Sequence, residues 1–186
     1  ERLAEAAASL ATDGIHAATI EADLAKPDGP DAAVNQLAPA GHAVDILVNA
    51  AGINLRKPFE DVTVDEFDRH VAIHLRAPFR LTQLLAPAMA ERGRGRIINI
   101  ASLQSLRAFA NSAPYGTAKG GVVQLTRAVA EHWSPRGITC NAIAPGFFPT
   151  PLTAPIFDDP QRAARNAAQT AIGRNGELTD LYGTAV

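Results

Sequence analysis

Short apolar stretches alternating with helical ones constrain this chain more than any other feature. Residues 15–22, 44–49, 95–100 and 138–143 each read as a short strand, and longer segments with helical spacing separate them. The chain opens Ala-rich over residues 1–11, with Leu3, Ala7 and Leu10 on one helical face. Residues 30–37 read as a second helix. Thr63-Val-Asp-Glu66 has the spacing of a capping box, and a long helix follows towards Arg92 with Pro78 and Pro87 as kinks. A further helix spans residues 113–133 and is closed by Ser134-Pro-Arg-Gly137. Helical segments over 160–170 and from Glu177 onward complete the pattern. This alternation predicts an α/β fold, a parallel sheet with helices on both faces. Ile97, Ile98 and Ile100 suit a strand buried on both sides.

The chain's 186 residues suit one domain, and 47% hydrophobic residues are enough for a substantial core. A net charge of −2 without a Lys/Arg block argues against nucleic acid and membrane surfaces as partners. No apolar run is long enough to span a bilayer, and no signal peptide is visible. The single Cys140 excludes an internal disulfide framework, fits a reducing cytoplasm and reads as a small core residue.

In sheets of this kind the ligand sits beyond the carboxyl ends of the strands. The residues that carry chemistry follow strands here: Asp23, Asn49 to Gly52, Ser102 and Pro145-Gly146. Tyr115-Gly-Thr-Ala-Lys119 places a phenol and an ammonium one helical turn apart on one face. By itself the pair also fits a helix with a buried tyrosine and a solvated lysine. Its surroundings decide. Ser102 lies thirteen residues before Tyr115, directly after a strand. Asn49-Ala-Ala-Gly52 closes the preceding strand, Asn141-Ala-Ile-Ala-Pro-Gly146 the following one, and Thr150 stands four residues beyond Gly146.

In this order and at these spacings the motifs resemble the short-chain dehydrogenase/reductase family, over nearly the whole chain. The resemblance implies a doubly wound, Rossmann-type, three-layer α/β/α domain over residues 1–186. It also implies an NAD- or NADP-dependent oxidoreductase that interconverts a secondary alcohol and a ketone. Tyr115 would exchange the hydroxyl proton and Ser102 would hold the substrate oxygen. Lys119 would favour the phenolate and hold the nicotinamide ribose. Pro145, Gly146 and Thr150 would position the carboxamide, Asp23 and Leu24 the adenine, and Asn49, Ala51 and Gly52 the ribose side. The family further implies a homotetramer or dimer, in which the helix from Glu66 and the Tyr115 helix pair across a two-fold.

Two departures stand out. The family carries an Asn on the long helix where this chain reads Val71-Ala-Ile-His74. Either the backbone carbonyl at that place does the work through a local helix distortion, or His74 itself moves protons, and it joins the catalytic candidates. His70 and His74 also have metal-pair spacing, but no Glu follows His70 and no third ligand is evident. His16, His42 and His132 read as surface or loop residues. The second departure is that the family's opening βαβ, with its Gly-rich turn, and its last strand have no counterpart in the chain. The opening unit is a lead of roughly 30 to 40 residues. The fold is therefore expected to be incomplete at both ends. The residue that separates NAD from NADP follows a strand in that lead, so both cofactors stay open.

The stretches Gly52-Ile-Asn-Leu-Arg56, Ile100-Ala-Ser-Leu103 and Thr153-Ala-Pro155 resemble the sugar-acid branch, the gluconate 5-dehydrogenases and 2-deoxygluconate 3-dehydrogenases. Arg56 or Gln104 would meet a carboxylate or hydroxyl at the pocket rim, beneath a substrate loop over residues 147–170. Two other readings remain, a 3-oxoacyl-carrier-protein-type reductase and a noncatalytic Rossmann-fold interaction protein. The intact Ser-Tyr-Lys set argues against the second of these.

Overall fold

The computed structural model describes residues 2–37 and 43–185, so His42 lies outside the described residues. Its sheet has three parallel strands in the order β1 (Ile46–Asn49), β2 (Gly95–Ile100) and β3 (Ile138–Ile143). Parallel neighbours require a crossover between them, and helices make each one. Between β1 and β2 the chain forms α3 (Val64–Val71), a π-helical turn (Ala72–Arg76) and α4 (Ala77–Glu91). Between β2 and β3 it forms α5 (Ala113–Trp133). Before the sheet come α1 (Arg2–Thr12) and α2 (Gly29–Leu37). After it come the short α6 (Ala154–Phe157), α7 (Pro160–Ala168) and α8 (Tyr182–Ala185).

The core lies on the sheet face covered by α4 and α5. Ala86 and Met89 from α4, Val129 from α5, Ile97 from β2 and Ile138 and Cys140 from β3 pack there as one buried cluster. The period of two along a strand divides the β2 isoleucines: Ile97 is 1% exposed, whereas Ile98 and Ile100 on the opposite face are only half-buried. Ile46 and Val48 of β1 are 60% and 52% exposed. Gly137 turns the chain from α5 into β3 with φ of 80°, and a Cβ there would lie 2.0 Å from the Gly93 carbonyl oxygen. Only glycine satisfies both conditions.

Residues 15–22 do not form the expected strand. A strand exists only as part of a hydrogen-bonded ladder, and no partner lies beside this segment among the described residues. Instead Gln36 Nε2 donates to the Glu21 carbonyl at 3.3 Å.

The long helix after Thr63 begins as its sequence predicts. Thr63 Oγ1 accepts from the Glu66 amide at 3.2 Å, and Glu66 Oε2 accepts from the Thr63 amide at 2.9 Å. It does not run unbroken to Arg92. Pro78 has no N–H to give the His74 carbonyl four residues back, and the Ala77 amide bonds to the Ala72 carbonyl five residues back. The result is the π turn, with His74 at its centre. Pro87 is accommodated inside α4.

Candidate active site

Parallel β2 and β3 end at the same level, and this places the candidate residues together. Ser102 follows β2 and opens a 3-10 turn, Leu103–Ser105, in which its Oγ accepts from the Gln104 amide at 3.1 Å. Ser105 Oγ accepts from the Ser102 amide at 3.2 Å and donates to the Lys119 carbonyl at 2.7 Å. The turn is thereby tied to α5. Ser105 escaped the sequence reading, although the Ser-x-x-Ser spacing of a capping turn marks it.

Tyr115 stands in the first turn of α5, 9% exposed, and Lys119 follows one turn later, 5% exposed. The Lys119 ammonium sits 5.7 Å from the centre of the Tyr115 ring and donates to the Ile100 carbonyl. Burial holds the Lys119 ammonium down to about 8. Burial also raises the Tyr115 phenol, against the opposing pull of Ser102 and the Arg56 charge. The lysine was expected to favour the phenolate. Lys119 stays within one turn of Tyr115, and the Arg56 charge, which the sequence reading had not connected with Tyr115, also pulls its phenol down.

Ser102, Gln104, Tyr115, Pro145, Gly146 and Thr150 line one cavity of about 540 Å³. Such a volume falls within the ordinary range for small-molecule sites. Arg56 and Asn54 enter it from the loop after β1, and Arg162 of α7 with Leu178 and Leu181 closes the far side. Arg56 makes no ion pair or hydrogen bond among the described residues. Arg162 and the two leucines were missed by the sequence reading, since tertiary folding of residues 147–181 brings them here and no local motif marks them. Gly176 anchors that segment. Its amide donates to the Phe147 carbonyl at 2.9 Å, and a Cβ would lie 2.5 Å from the Phe148 ring.

The remaining candidates lie outside this cavity. Leu24, Asn49 and Ala51 border a smaller cleft together with Val48, Ile73 and Ala77. Asn49 Nδ2 donates to Asn99 Oδ1 at 2.8 Å. Gly52 is exposed above the His74 ring. Asp23 is exposed, and its Oδ1 caps the Ala25 amide at 3.0 Å.

His70 and His74 both point into the loop after β1. His70 Nδ1 donates to the Glu66 carbonyl at 2.8 Å and its Nε2 accepts from the Leu55 amide at 3.2 Å. His74 Nε2 lies 2.7 Å from the Ile53 carbonyl oxygen and 3.2 Å from the Ile53 amide nitrogen. Among the described residues no cluster of three His, Cys, Asp or Glu could hold a metal. Cys140 is buried, and burial pushes its thiol up to about 11.

The donor set fits the nicotinamide end of a dinucleotide: two hydroxyls and a buried ammonium at the strand ends, beside the Gly146 turn, where a Cβ would meet Leu103 at 3.9 Å. A family model described as enoyl-(acyl carrier protein) reductase matches residues 1–186. The chain is 34% identical to gluconate 5-dehydrogenase of Gluconobacter oxydans over 186 residues, all of this chain and 73% of that relative. It is also similar to the crystal structure of a gluconate 5-dehydrogenase from Burkholderia cenocepacia in complex with NADP and tartrate. There the TM-score is 0.87, with 34% identity over 98% of this chain and 71% of that one. A 4-hydroxyisoleucine dehydrogenase complexed with NADH superposes with a TM-score of 0.84 and 28% identity, over 89% and 69% of the two chains. The chain belongs to the short-chain dehydrogenase/reductase family of NAD(P)-dependent oxidoreductases.

Proposed function

We propose that this chain carries the catalytic centre of an NAD(P)-dependent dehydrogenase that interconverts a secondary alcohol and a ketone on a sugar acid or polyol. The observation that carries this reading is the meeting of Ser102 and Tyr115 in one cavity with the unpaired Arg56. An arginine without a carboxylate partner beside a reacting centre suits an anionic substrate, since its planar fork matches a carboxylate. Arg162 lines the same cavity but is paired with Asp159 at 3.6 Å, so the preference for an anion over a neutral acyl chain rests on Arg56. The relatives named as gluconate 5-dehydrogenases support the same substrate class.

The roles follow from position. When bound, the nicotinamide supplies the hydride acceptor or donor. Lys119 would hold its ribose, with Pro145, Gly146 and Thr150 against its carboxamide; Asn49, Ala51 and Gly52 border the ribose side and Asp23 and Leu24 the adenine. Ser102 donates to the substrate oxygen and stabilises the charge that develops there. Tyr115 takes the hydroxyl proton in oxidation and returns it in reduction. Gln104 meets a substrate hydroxyl. We also assign residues 1–186 to one Rossmann-type domain of a cytoplasmic homo-oligomer. Exposed Val64, Phe67 and Phe79 along α3 and α4 support the pairing of subunits.

The test is absorbance of reduced nicotinamide on mixing the protein with gluconate or 5-ketogluconate and either cofactor, with a 3-oxoacyl thioester as the competing substrate. Turnover of the sugar acid supports the assignment. Turnover of the thioester alone would overturn it.

A further inference from the structure

The loop after β1 is tied down at every residue from 53 to 57 except one. Ile53 meets His74 Nε2 through its carbonyl and its amide. Asn54 Oδ1 accepts from Ser112 Oγ at 3.4 Å. The Leu55 amide donates to His70 Nε2 at 3.2 Å. The Lys57 amide donates to the Asn111 carbonyl at 3.0 Å, and the Lys57 ammonium pairs with Glu66 at 2.6 Å. Arg56 is the exception. It stands between two tied neighbours, is exposed where they are half-buried, and lines the cavity that holds Ser102 and Tyr115.

His70 is the strut of this arrangement. It lies on α3 and is 1% exposed. A polar ring in such a place is costly unless both nitrogens are satisfied. Nδ1 donates to the Glu66 carbonyl at 2.8 Å, so Nε2 is bare and accepts from Leu55. One partner belongs to the helix and the other to the loop, so the ring is oriented by the first and holds the second. Glu66 is itself fixed by the capping box with Thr63, and its side chain takes Lys57. Both neighbours of Arg56 are thereby referred to one stretch of α3.

We infer that His70 is a positioning residue for substrate charge: by holding the Leu55 amide it presets the Arg56 guanidinium beside the reacting centre and so favours anionic substrates over neutral ones. The inference rests on the sugar-acid reading above and deepens it. An arginine on a loose loop loses side-chain and backbone freedom each time it meets a carboxylate, and that loss weakens binding. With Leu55 and Lys57 held, part of the ordering is complete before the substrate arrives. Arg56 reaches the reacting group, since its charge pulls the Tyr115 phenol down. His70 does not line the cavity and acts only through the loop.

Steady-state kinetics on 5-ketogluconate test this with Arg56→Ala, His70→Leu, His70→Gln, and His70→Leu combined with Arg56→Ala. Arg56→Ala should raise KM by about 10–100-fold, the loss of a charge-assisted contact. His70→Leu should raise KM about fivefold with kcat and nicotinamide binding nearly unchanged, as expected when one long side chain must be ordered anew. In the Arg56→Ala protein the same change should leave KM where it is, because no guanidinium remains to position. Glutamine offers a donor and an acceptor, and His70→Gln should recover most of the native KM. If His70→Leu fails to fold, Ser112→Ala frees Asn54 with little change in packing and should raise KM about twofold, again only where Arg56 is present. A KM that rises equally with and without Arg56, or not at all, would overturn the inference, as would a fall in kcat as large as the rise in KM. A protein inactive on 5-ketogluconate, or an Arg56→Ala protein with native KM, would instead sink the sugar-acid reading. Exchange of the Leu55 amide with heavy water, which needs no substrate, then decides the tie: exchange about fivefold faster in His70→Leu supports it, and equal exchange overturns it.

Discussion

Asn49 and Asn99 are Cα partners across neighbouring strands, and Asn49 Nδ2 donates to Asn99 Oδ1 at 2.8 Å. The contact continues inward. Asn99 Nδ2 donates to Thr126 Oγ1 at 2.9 Å, and Thr126 Oγ1 donates to the Val122 carbonyl at 2.8 Å. This polar line links the edge strand through the middle one to the helix that carries Tyr115 and Lys119. Replacing Asn99 by Ala takes a partner from the buried Thr126 hydroxyl and from the half-buried Asn49 amide. Stability should fall by about 1–3 kcal/mol, the usual penalty for a stranded buried group. Urea unfolding reads it, and an unchanged midpoint would show that the line contributes nothing.

Tyr115→Phe keeps the ring and its packing and removes only the phenolic proton carrier. Turnover should drop by about 10²–10⁴-fold while nicotinamide fluorescence reports nearly normal binding. A variant that keeps near-native turnover would dismiss Tyr115 as the proton-transfer group.

Lys119 links stability to pH. Its folded value of about 8 lies below the ordinary 10.5, so between these the unfolded chain holds more protons. Stability must therefore rise with pH across that window and be reduced below it. From pH 8 to 10 the gain attributable to Lys119 should be about 2 kcal/mol. Urea midpoints of the native protein and Lys119→Met, compared along this range, isolate it. Equal slopes would mean the buried amine titrates normally.

Thr63→Ala removes one half of the capping box and loosens Glu66, which also holds Lys57 at 2.6 Å. A loss of about 1 kcal/mol is expected, seen as a lower Tm. No shift in Tm would place the start of α3 under the control of tertiary packing instead.

What the sequence disclosed follows a physical divide. The bounds of α5 and β3, the capping box and the closing turn at Gly137 depend on neighbours along the chain, so spacing reveals them. The segment 15–22 has the composition of a strand, yet strand formation depends on a partner and composition cannot supply one. The π turn was foreshadowed only by the choice at His74, between a distorted helix and a shuttling side chain; Pro78, four residues on, carries the cause. The candidate trio of Ser102, Tyr115 and Lys119 was legible because a motif spaces it, whereas Arg162 reaches the cavity through the folding of residues 147–181. His70 carried metal-pair spacing, but its nitrogens serve the Glu66 and Leu55 backbone, a pairing between loop and helix that linear spacing does not encode.

The close approach of Gly52 to His74 restricts the mutational history open to both positions. A Cβ at residue 52 would lie 2.7 Å from His74 Cε1, and the imidazole, wedged against Tyr115, has little room to retreat. A side chain at 52 can arise only after residue 74 has become smaller, while the imidazole can enter only where 52 is already bare. The order of substitution therefore matters: a glycine at 52 tolerates either the imidazole or a smaller residue at 74, whereas the imidazole tolerates only the glycine.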